Sequence, residues 1–298
     1  MKRVGIVAAL VLALAGTGAG ALWLWPIGEP VVLADRKGDA SRGAYLARMA
    51  GCIACHTNSA KGGAPLAGGL ALETKFGTFY TPNLTPDEKH GLGAWSLDDF
   101  ARAVRQGVSP SGEPYYPAFP YPFYRHLSDQ DVADLWAAFR MLPAVAAPSR
   151  PQALHFPFSF RPGLKLWRAA FLSDTPLSPD PGKSEQWNRG QYIVRGPAHC
   201  GACHTPRNLA GARLTNRRLE GNPALPEGGS APAISTAALH ESGWKPGDIA
   251  YALETGIMPD GDVFGSSMAK VVDDGTSFLT DADRKAVATY LLDEEPAK

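Results

Sequence analysis

The sequence predicts an all-α protein in which two similar domains follow one another behind an N-terminal transmembrane helix. Three observations predict this fold class. A long uncharged run begins at residue 4, the pattern Cys-x-x-Cys-His occurs twice, and capped helical segments recur at matching positions after each copy. The 32 glycines and 26 prolines indicate short helices joined by long loops.

The composition of the chain restricts its functions. Its 298 residues are enough for one large or two modest domains with buried cores. The 29 basic and 29 acidic side chains give no net charge. This balance argues against a nucleic-acid partner, because phosphate binding needs a clustered surplus of Lys and Arg.

Residues 1–27 are predicted to form a transmembrane anchor or a signal segment. The uncharged run over residues 4–27 has 24 residues, more than the roughly 20 that are needed to cross a bilayer. Trp23 and Trp25 at its end suit the membrane interface, and the two positive charges before it favour a cytoplasmic N-terminus. The chain after residue 27 is therefore expected outside the cytoplasm.

A cleaved signal peptide is the alternative interpretation of this segment. Small residues near Ala21 and Ala34 offer cleavage sites. The apolar run continues past Ala21 through Trp25, which is long for a signal peptide and favours a retained anchor. Export of the rest of the chain follows under either interpretation.

All four cysteines belong to the two Cys-x-x-Cys-His motifs. In this pattern the two thiols add to the vinyl groups of a haem, and the adjacent His binds the iron. The motifs therefore predict two covalently bound haem c groups. The attachment residues are Cys52, Cys55, Cys200 and Cys203, and the iron ligands are His56 and His204.

Three other uses of paired cysteines are less consistent with the pattern. A redox-active dithiol does not need a His directly after it. A zinc site usually draws its pairs from closer together than residues 55 and 200. Two cysteines separated by two residues are also poor partners for structural disulfides, although export would permit disulfides.

The two halves of the chain align as an internal repeat around the motifs. Each half consists of a helix leading into the motif, a long loop, a second helix, an aromatic-rich loop and a closing helix. The predicted domains are residues 28–142 and 184–298. Between them, residues 143–183 contain eight prolines and are predicted to form an ordered crossover, because their many aromatic side chains would not each remain exposed.

The starts of the helices carry matching capping residues. Ser96 is predicted to cap a helix that ends at Gly107, with acidic residues in its first turn. Ser128 and Thr280 are each followed three residues later by an Asp, as in a capping box. The helix that Ser128 begins is expected to end before Pro143.

The sequence resembles the membrane-anchored dihaem and multihaem cytochrome c subunits of bacterial periplasmic dehydrogenases, such as those of quinoprotein alcohol dehydrogenases and some molybdenum hydroxylases. The resemblance covers roughly residues 40–293. It rests on the two Cys-x-x-Cys-His motifs and on four further segments: Thr81–Pro86, Tyr116–Tyr121, Cys203–Arg207 and Gly265–Met268.

The resemblance implies two class I cytochrome c domains in tandem and a function in electron transfer. The donor would be a periplasmic dehydrogenase, and the acceptor a downstream cytochrome, a quinone or an oxidase. The haem domains would lie in the periplasm, attached to the inner membrane. Electrons would enter at the first haem and leave through the second.

The family pattern implies that Met268 is the distal ligand of the second haem. It lies in a stretch of small residues, 64 positions after His204. Met258 is the alternative ligand, although a packed side chain is the simpler role for it. A Met ligand opposite His raises the reduction potential of the iron.

The first half lacks the corresponding methionine. The ungapped alignment puts Phe119 at this position, and phenylalanine cannot bind iron. The first haem is therefore expected to be five-coordinate or water-bound, behind an aromatic wall formed by Tyr115, Tyr116, Phe119 and Tyr121. In the alternative interpretation another side chain binds the iron, with His126 the nearer candidate and His90 the more distant one.

Other polar residues near the motifs have weaker assignments. Arg195, Arg207 and Asn208 could pair with haem propionates. The remaining histidines show no ligand pattern; these are His155, His199 and His240.

Two other classes of function compete with electron transfer. An open first haem could belong to an enzyme that acts on a small molecule, although no acid–base pair near Phe119 is evident. A haem-based sensor would need an output domain, and none is evident in the sequence. Binding of cyanide or CO together with turnover would favour the enzyme.

Overall fold

A computed structural model describes residues 16–18, 20–33, 35–172 and 175–293 of the chain. Most of its regular structure is helical. The helices are α1 (Ala40–Met49), α2 (Cys52–His56), α3 (Leu97–Gln106), α4 (Tyr121–Tyr124), α5 (Asp129–Arg140), α6 (Gly163–Phe171), α7 (Glu185–Arg195), α8 (Thr236–Glu241), α9 (Pro246–Thr255), α10 (Ser266–Asp274) and α11 (Asp281–Leu292).

A close crossing of two helices organises the first half. Helix α1 packs against α5, and the contact depends on Gly43. A Cβ atom at Gly43 would lie 1.8 Å from the carbonyl oxygen of Asp134, so only glycine lets the two backbones approach this closely. The amide of Asp39 donates to the Asp134 carboxylate over 2.7 Å and fixes the start of α1 against α5.

The second half contains the same crossing. Helix α7 packs against α11, and a Cβ atom at Gly190 would lie 1.9 Å from the carbonyl oxygen of Ala286. Val287 and Leu291 of α11 are buried, like Val132 and Leu135 of α5. In each half, the helix before the motif therefore packs closely against the closing helix.

The predicted helix caps are present. Ser96 accepts a hydrogen bond from the Asp99 amide, and Asp99 returns one to the Ser96 amide. Ser128 and Thr280 accept from the amides three residues on. Gly107 ends α3 in the left-handed conformation at φ 62°, as the sequence predicts.

The structure departs from the all-α prediction in a small antiparallel sheet. Strand β1 (Ala71–Thr74) pairs with β2 (Gly77–Tyr80), which pairs with β3 (Ala153–Leu154). The sheet forms because Gly77, at φ 115°, lets the β1–β2 turn approach the crossover; a Cβ there would lie 2.4 Å from the Ala153 carbonyl oxygen. The strands are short, and β3 is far from the other two in sequence, so the sequence carries little sign of the sheet.

The aromatic side chains of the crossover are less buried than the sequence predicts. Phe158 contacts Phe76 with ring centroids 4.7 Å apart, yet 40% of Phe158 is exposed. Phe160 and Phe171 are similarly exposed, and the exposed fraction of Phe156 is 85%. The expectation that these rings pack inward is wrong, because the crossover lies on the outside of the helical body.

Two tyrosines join the halves in a reciprocal way. Tyr45 of α1 donates to the Asp283 carboxylate of α11 over 2.7 Å, and Tyr192 of α7 donates to the Asp131 carboxylate of α5. Each tyrosine thus reaches the acidic residue in the first turn of the closing helix in the other half. Arg189 also binds Asp283, with both hydrogen bonds at 2.8 Å.

The predicted N-terminal anchor lies largely outside the described residues, which omit residues 1–15 and 19. Residues 16–18 and 20–24 are helical. None of the helices within the described residues has the length and apolar character needed to span a bilayer.

Candidate haem sites

The first Cys-x-x-Cys-His motif forms helix α2, directly after α1. Gly51 joins the two helices in the left-handed conformation at φ 65°. Nδ1 of His56 lies 2.8 Å from the Pro82 carbonyl oxygen, and because a carbonyl only accepts, Nδ1 carries the proton. Burial lowers the pKa of His56 to about 4, so the ring is neutral and its Nε2 lone pair is free for a metal.

The second motif repeats this arrangement. Residues Cys200–Ala202 form a short 3-10 helix directly before Cys203. Nδ1 of His204 lies 2.8 Å from the Pro232 carbonyl oxygen, and burial lowers the pKa of His204. Both candidate proximal histidines are therefore oriented by a proline carbonyl from the loop that follows the motif.

No disulfide joins the four cysteines, all of which lie in the described residues. Burial raises the pKa of Cys52 and of Cys200 to about 12, so neither is a reactive thiolate of the dithiol type. Within the described ranges, no three His, Cys, Asp or Glu side chains group as they would around a metal ion. This donor set fits haem attachment better than a zinc site.

A cluster of arginines lies beside the second motif. The Arg213 guanidinium is 3.8 Å from the ring centroid of Phe123, and Phe123 in turn lies against Gly201. Burial, with Arg207 and Arg218 nearby, lowers the pKa of Arg213 to about 9. The buried Nε of Arg207 has no hydrogen-bond partner.

These cations have no carboxylate in direct contact among the described residues, although Glu227 acts on Arg207 from farther away. In the part of the chain that the structure describes, Arg195, Arg207 and Arg213 form no ion pair within 4.0 Å, in contrast to the paired arginines elsewhere in the protein. Haem propionates would supply the missing negative charge. The residues around the second motif therefore fit the group that the motif would attach.

A repeated loop places Met268 and Phe119 at corresponding positions. The Tyr115 amide donates to the Gly107 carbonyl, and the Phe264 amide donates to the Gly256 carbonyl, both over 2.8 Å. Phe119 and Met268 each lie four residues after these points. Met258 instead lies in the turn of the loop, where its amide donates to the Asp262 carbonyl.

The aromatic wall at Phe119 differs in one member from the sequence prediction. The Phe119 ring lies 5.9 Å from Tyr115, 6.2 Å from Tyr121 and 5.8 Å from Tyr124. Tyr116 points elsewhere, because its hydroxyl donates to the Phe158 carbonyl over 2.8 Å. The wall therefore contains Tyr124 in place of Tyr116.

The alternative ligand His126 faces the second half of the chain. It lies beside Gly196, and burial together with the nearby Arg125, Arg195 and Arg213 lowers its pKa to about 4. His90 lies in a turn, where its amide donates to Asp87. Neither has a contact in the structure that directs it toward the first motif.

The two motifs are close together at the boundary of the halves. Gly51 and His199 occupy the same position before the first Cys of each motif, and both are left-handed. Cε1 of His199 lies 3.5 Å from the Cβ position of Gly51, and its ring centroid is 5.6 Å from that of Tyr124. The Tyr124 hydroxyl donates to the Ala50 carbonyl.

Sequence reasoning misses several of these residues. Arg213, Tyr124 and His199 become part of the site through contacts between distant segments. Only His199 could have been found from the sequence, because it aligns with Gly51 of the first half. For Arg213 and Tyr124 the sequence offers no distinguishing pattern.

Comparison with known proteins places the chain among cytochromes c. The cytochrome c family model matches residues 40–137. A dihaem cytochrome c-type protein of Cereibacter sphaeroides is 42% identical, over 98% of this chain and 98% of its own length.

Longer relatives are subunits of dehydrogenases. The fructose dehydrogenase cytochrome subunit of Gluconobacter japonicus is 40% identical over 97% of this chain. The cytochrome c subunit of the quinone alcohol dehydrogenase of Gluconobacter oxydans is 39% identical over 84%. The chain spans only 58% and 53% of these two proteins.

Proposed function

The chain belongs to the dihaem cytochrome c family, and from this premise we propose that it carries electrons from a periplasmic dehydrogenase to a respiratory acceptor. Covalently bound haem c is its cofactor. The names of its relatives support a dehydrogenase as the donor. A downstream cytochrome, a quinone or an oxidase is the proposed acceptor.

The protein's residues would hold two haems, and each haem supplies the one-electron change of its iron. Cys52, Cys55, Cys200 and Cys203 provide the thioether bonds. His56 and His204, each held by its proline carbonyl, would bind the two irons, and Met268 would be the second protein ligand of the second haem. Arg207 and Arg213 would bind the propionates of the second haem.

The proximity of the two motifs is the observation that supports this function most directly. Gly51 and His199 are in contact, so the two attachment segments share one boundary. Such an arrangement suits transfer of electrons from one site to the other inside a single chain. With Phe119 in place of a Met ligand, the first haem would have a lower reduction potential than the second. Electrons would therefore enter at the first haem and leave from the second.

The domain organisation and the location belong to the same proposal. The haem domains are residues 28–142 and 184–298, joined by the crossover 143–183. Residues 1–27 tether them to the inner membrane, with the haem domains in the periplasm. The repeated helix crossings at Gly43 and Gly190 support the two-domain division.

A redox titration of the purified holoprotein, followed by optical absorbance, tests the function. We expect two one-electron steps, with the first haem at the lower potential. Addition of dehydrogenase substrates to native membranes is expected to reduce both haems, and electron flow from these substrates to the respiratory acceptor is expected to be lost when the chain is deleted.

Two outcomes would contradict the proposal. Equal potentials with a Met–iron charge-transfer band at both haems would contradict the assignment of unequal sites. Rapid binding of cyanide to the first haem, together with turnover of a small molecule, would instead indicate an enzyme.

A further inference from the structure

Helix α6 has an apolar face on its outside. Its outward side chains are Leu166, Ala169, Ala170 and Phe171, and 56% of Leu166 and 41% of Phe171 are exposed. A surface helix of a soluble domain normally presents polar residues to water and apolar residues to the core. In α6, apolar residues lie on the exposed side as well as on the half-buried side, where Leu164 and Trp167 lie.

The polar residues of α6 are directed inward and held by backbone carbonyls. Lys165 Nζ donates to the carbonyl oxygens of Trp23 and Trp25, over 2.8 and 2.6 Å. Arg168 donates to the Gln106 carbonyl oxygen over 2.7 Å. These bonds fix the rotation of α6, so its apolar face stays outward.

Neighbouring segments enlarge this face into a patch. Phe160 contacts the start of α6 at Gly163, and it is exposed, as are Trp23, Leu24 and Trp25 beside Lys165. We call these exposed side chains the crossover patch; it comprises Trp23, Leu24, Trp25, Phe160, Leu166 and Phe171. Exposed apolar side chains grouped on neighbouring segments mark an interaction surface.

The segment that carries most of the crossover patch is basic. Residues 150–172 contain four Lys or Arg side chains and no Asp or Glu, in a chain that has 29 of each sign overall. One of the four, Arg161, lies 3.9 Å from the Glu113 carboxylate, which leaves a net positive charge. Basic residues next to exposed aromatic and aliphatic side chains are the composition of segments that lie on anionic membranes. Tryptophan at the edge of an apolar run is typical of the same interface.

We propose that the crossover patch rests on the surface of an anionic phospholipid bilayer. This inference builds on the proposed membrane tether. The apolar run over residues 4–27 ends at Trp23 and Trp25, and Lys165 binds the carbonyls of both residues. The patch therefore lies at the level where the chain would leave the membrane, which makes lipid its nearest apolar neighbour.

Contact of the crossover patch with lipid would fix the orientation of the haem domains. A single tether leaves a domain free to tilt and rotate, whereas a second contact restricts it to one face. The side of the protein opposite α6 would then stay directed to the periplasm. A dehydrogenase would meet that side.

Accessibility of an introduced thiol tests this inference in the full-length holoprotein. Haem occupies all four native cysteines, so Leu166→Cys would carry a single free thiol. Tyr251→Cys is the matched control, because Tyr251 is similarly exposed on α9, in the second half. Both proteins are placed in nanodiscs of phosphatidylcholine with about one quarter phosphatidylglycerol, and reacted with a charged, membrane-impermeant maleimide.

We expect the thiol at position 166 to react about tenfold more slowly than the thiol at position 251, because headgroups and acyl chains cover it. Nanodiscs of phosphatidylcholine alone are expected to give less protection, because the basic residues then lack anionic partners. Haem absorbance checks that each variant is folded and loaded. Phe171→Cys serves as a second probe of the same face.

Other occupants of the crossover patch give different results. Equal rates at positions 166 and 251 would overturn the inference and leave a partner protein as the occupant. Protection that depends on protein concentration but not on lipid would also overturn it, and would indicate a second copy of the chain.

Flotation of the holoprotein with vesicles tests the membrane tether separately from the placement of the crossover patch. A holoprotein that does not float with vesicles would contradict the tether itself. A holoprotein that floats but shows no protection at position 166 would contradict only the placement of the crossover patch on lipid.

Discussion

The two candidate proximal histidines are held by the same contact, a hydrogen bond from Nδ1 to a proline carbonyl. His56 uses Pro82 and His204 uses Pro232, each over 2.8 Å. The contact fixes the tautomer and keeps Nε2 available, as outer hydrogen bonds do for most metal-binding histidines. The motif residues could be predicted from sequence, because haem attachment needs them in consecutive order, whereas the prolines could not.

Substitution of Met268 tests the distal ligand of the second haem. Met268→Ala is expected to abolish the Met–iron charge-transfer band and to lower one reduction potential by about 0.1–0.3 V, a fraction of the roughly 0.8 V that axial ligands span. Met258→Ala, in the turn of the same loop, is the matched control. It is expected to leave the Met–iron band and the reduction potentials unchanged. An unchanged band in Met268→Ala would show that Met268 does not bind the iron.

Substitution of Phe119 tests the open site of the first haem. Phe119→Met would place a thioether at the position that corresponds to Met268. We expect a second charge-transfer band, a higher potential for the first haem and loss of cyanide binding there. Phe119→Leu controls for the smaller side chain and is expected to keep the low potential. Cyanide binding that is equal in all three proteins would disprove the assignment.

Helix ends are the elements that the sequence predicts best, because a cap depends on residues within one turn. Ser96, Ser128 and Thr280 all cap their helices as expected. The full capping box forms only at Ser96, because the amides of Ser128 and Thr280 donate instead to the hydroxyls of Tyr192 and Tyr45. The small sheet could not be predicted in this way, because β3 comes from the crossover and pairs with β2 only once the helices have packed. The exposure of the aromatic side chains of the crossover could not be predicted either, because it also depends on how the helices pack.

The helix crossing of the second half depends on Gly190. Gly190→Ala would put a methyl group 1.9 Å from the Ala286 carbonyl oxygen, so α7 and α11 must separate, which we expect to lower the free energy of unfolding by about 3 kcal/mol. Guanidinium unfolding of the holoprotein, followed by circular dichroism, measures the change.

Gly247→Ala provides the control for Gly190→Ala. Gly247 lies in helix α9 with no atom within 4 Å of its Cβ position. Alanine there is expected to stabilise the protein by about 0.5 kcal/mol, because it restricts the unfolded chain. Equal effects of the two substitutions would show that the crossing does not require glycine.

The whole molecule is held together by the reciprocal tyrosine contacts between its halves. Burial alone raises the pKa of the Asp283 carboxyl, but hydrogen bonds from Arg189 and Tyr45 outweigh it and leave the pKa below its usual value. A carboxyl with a lowered pKa in the folded state stabilises the protein above the unfolded pKa. That stabilisation is lost as the pH falls through the folded value.

Removal of the Tyr45 hydroxyl tests the contact between the halves. Tyr45→Phe is expected to cost about 1–3 kcal/mol near pH 7, because it removes a hydrogen bond to a charged carboxylate. The difference from the native protein is expected to shrink below about pH 4, as Asp283 becomes protonated. Tyr251→Phe, on an exposed ring, is the control. A cost that does not vary with pH would show that Tyr45 acts through packing alone.

The arginines beside the second motif bear on how the protein matures. Arg195, Arg207 and Arg213 form no close ion pair within the described residues, so the chain without its second haem carries poorly compensated positive charge in partly buried positions. Like charges in partly buried positions favour the expanded chain. Polypeptides that miss the second haem are therefore expected to stay open to proteolysis, whereas loaded ones close and survive. The cluster would act as a quality check in which degradation removes incomplete molecules before they join a respiratory chain.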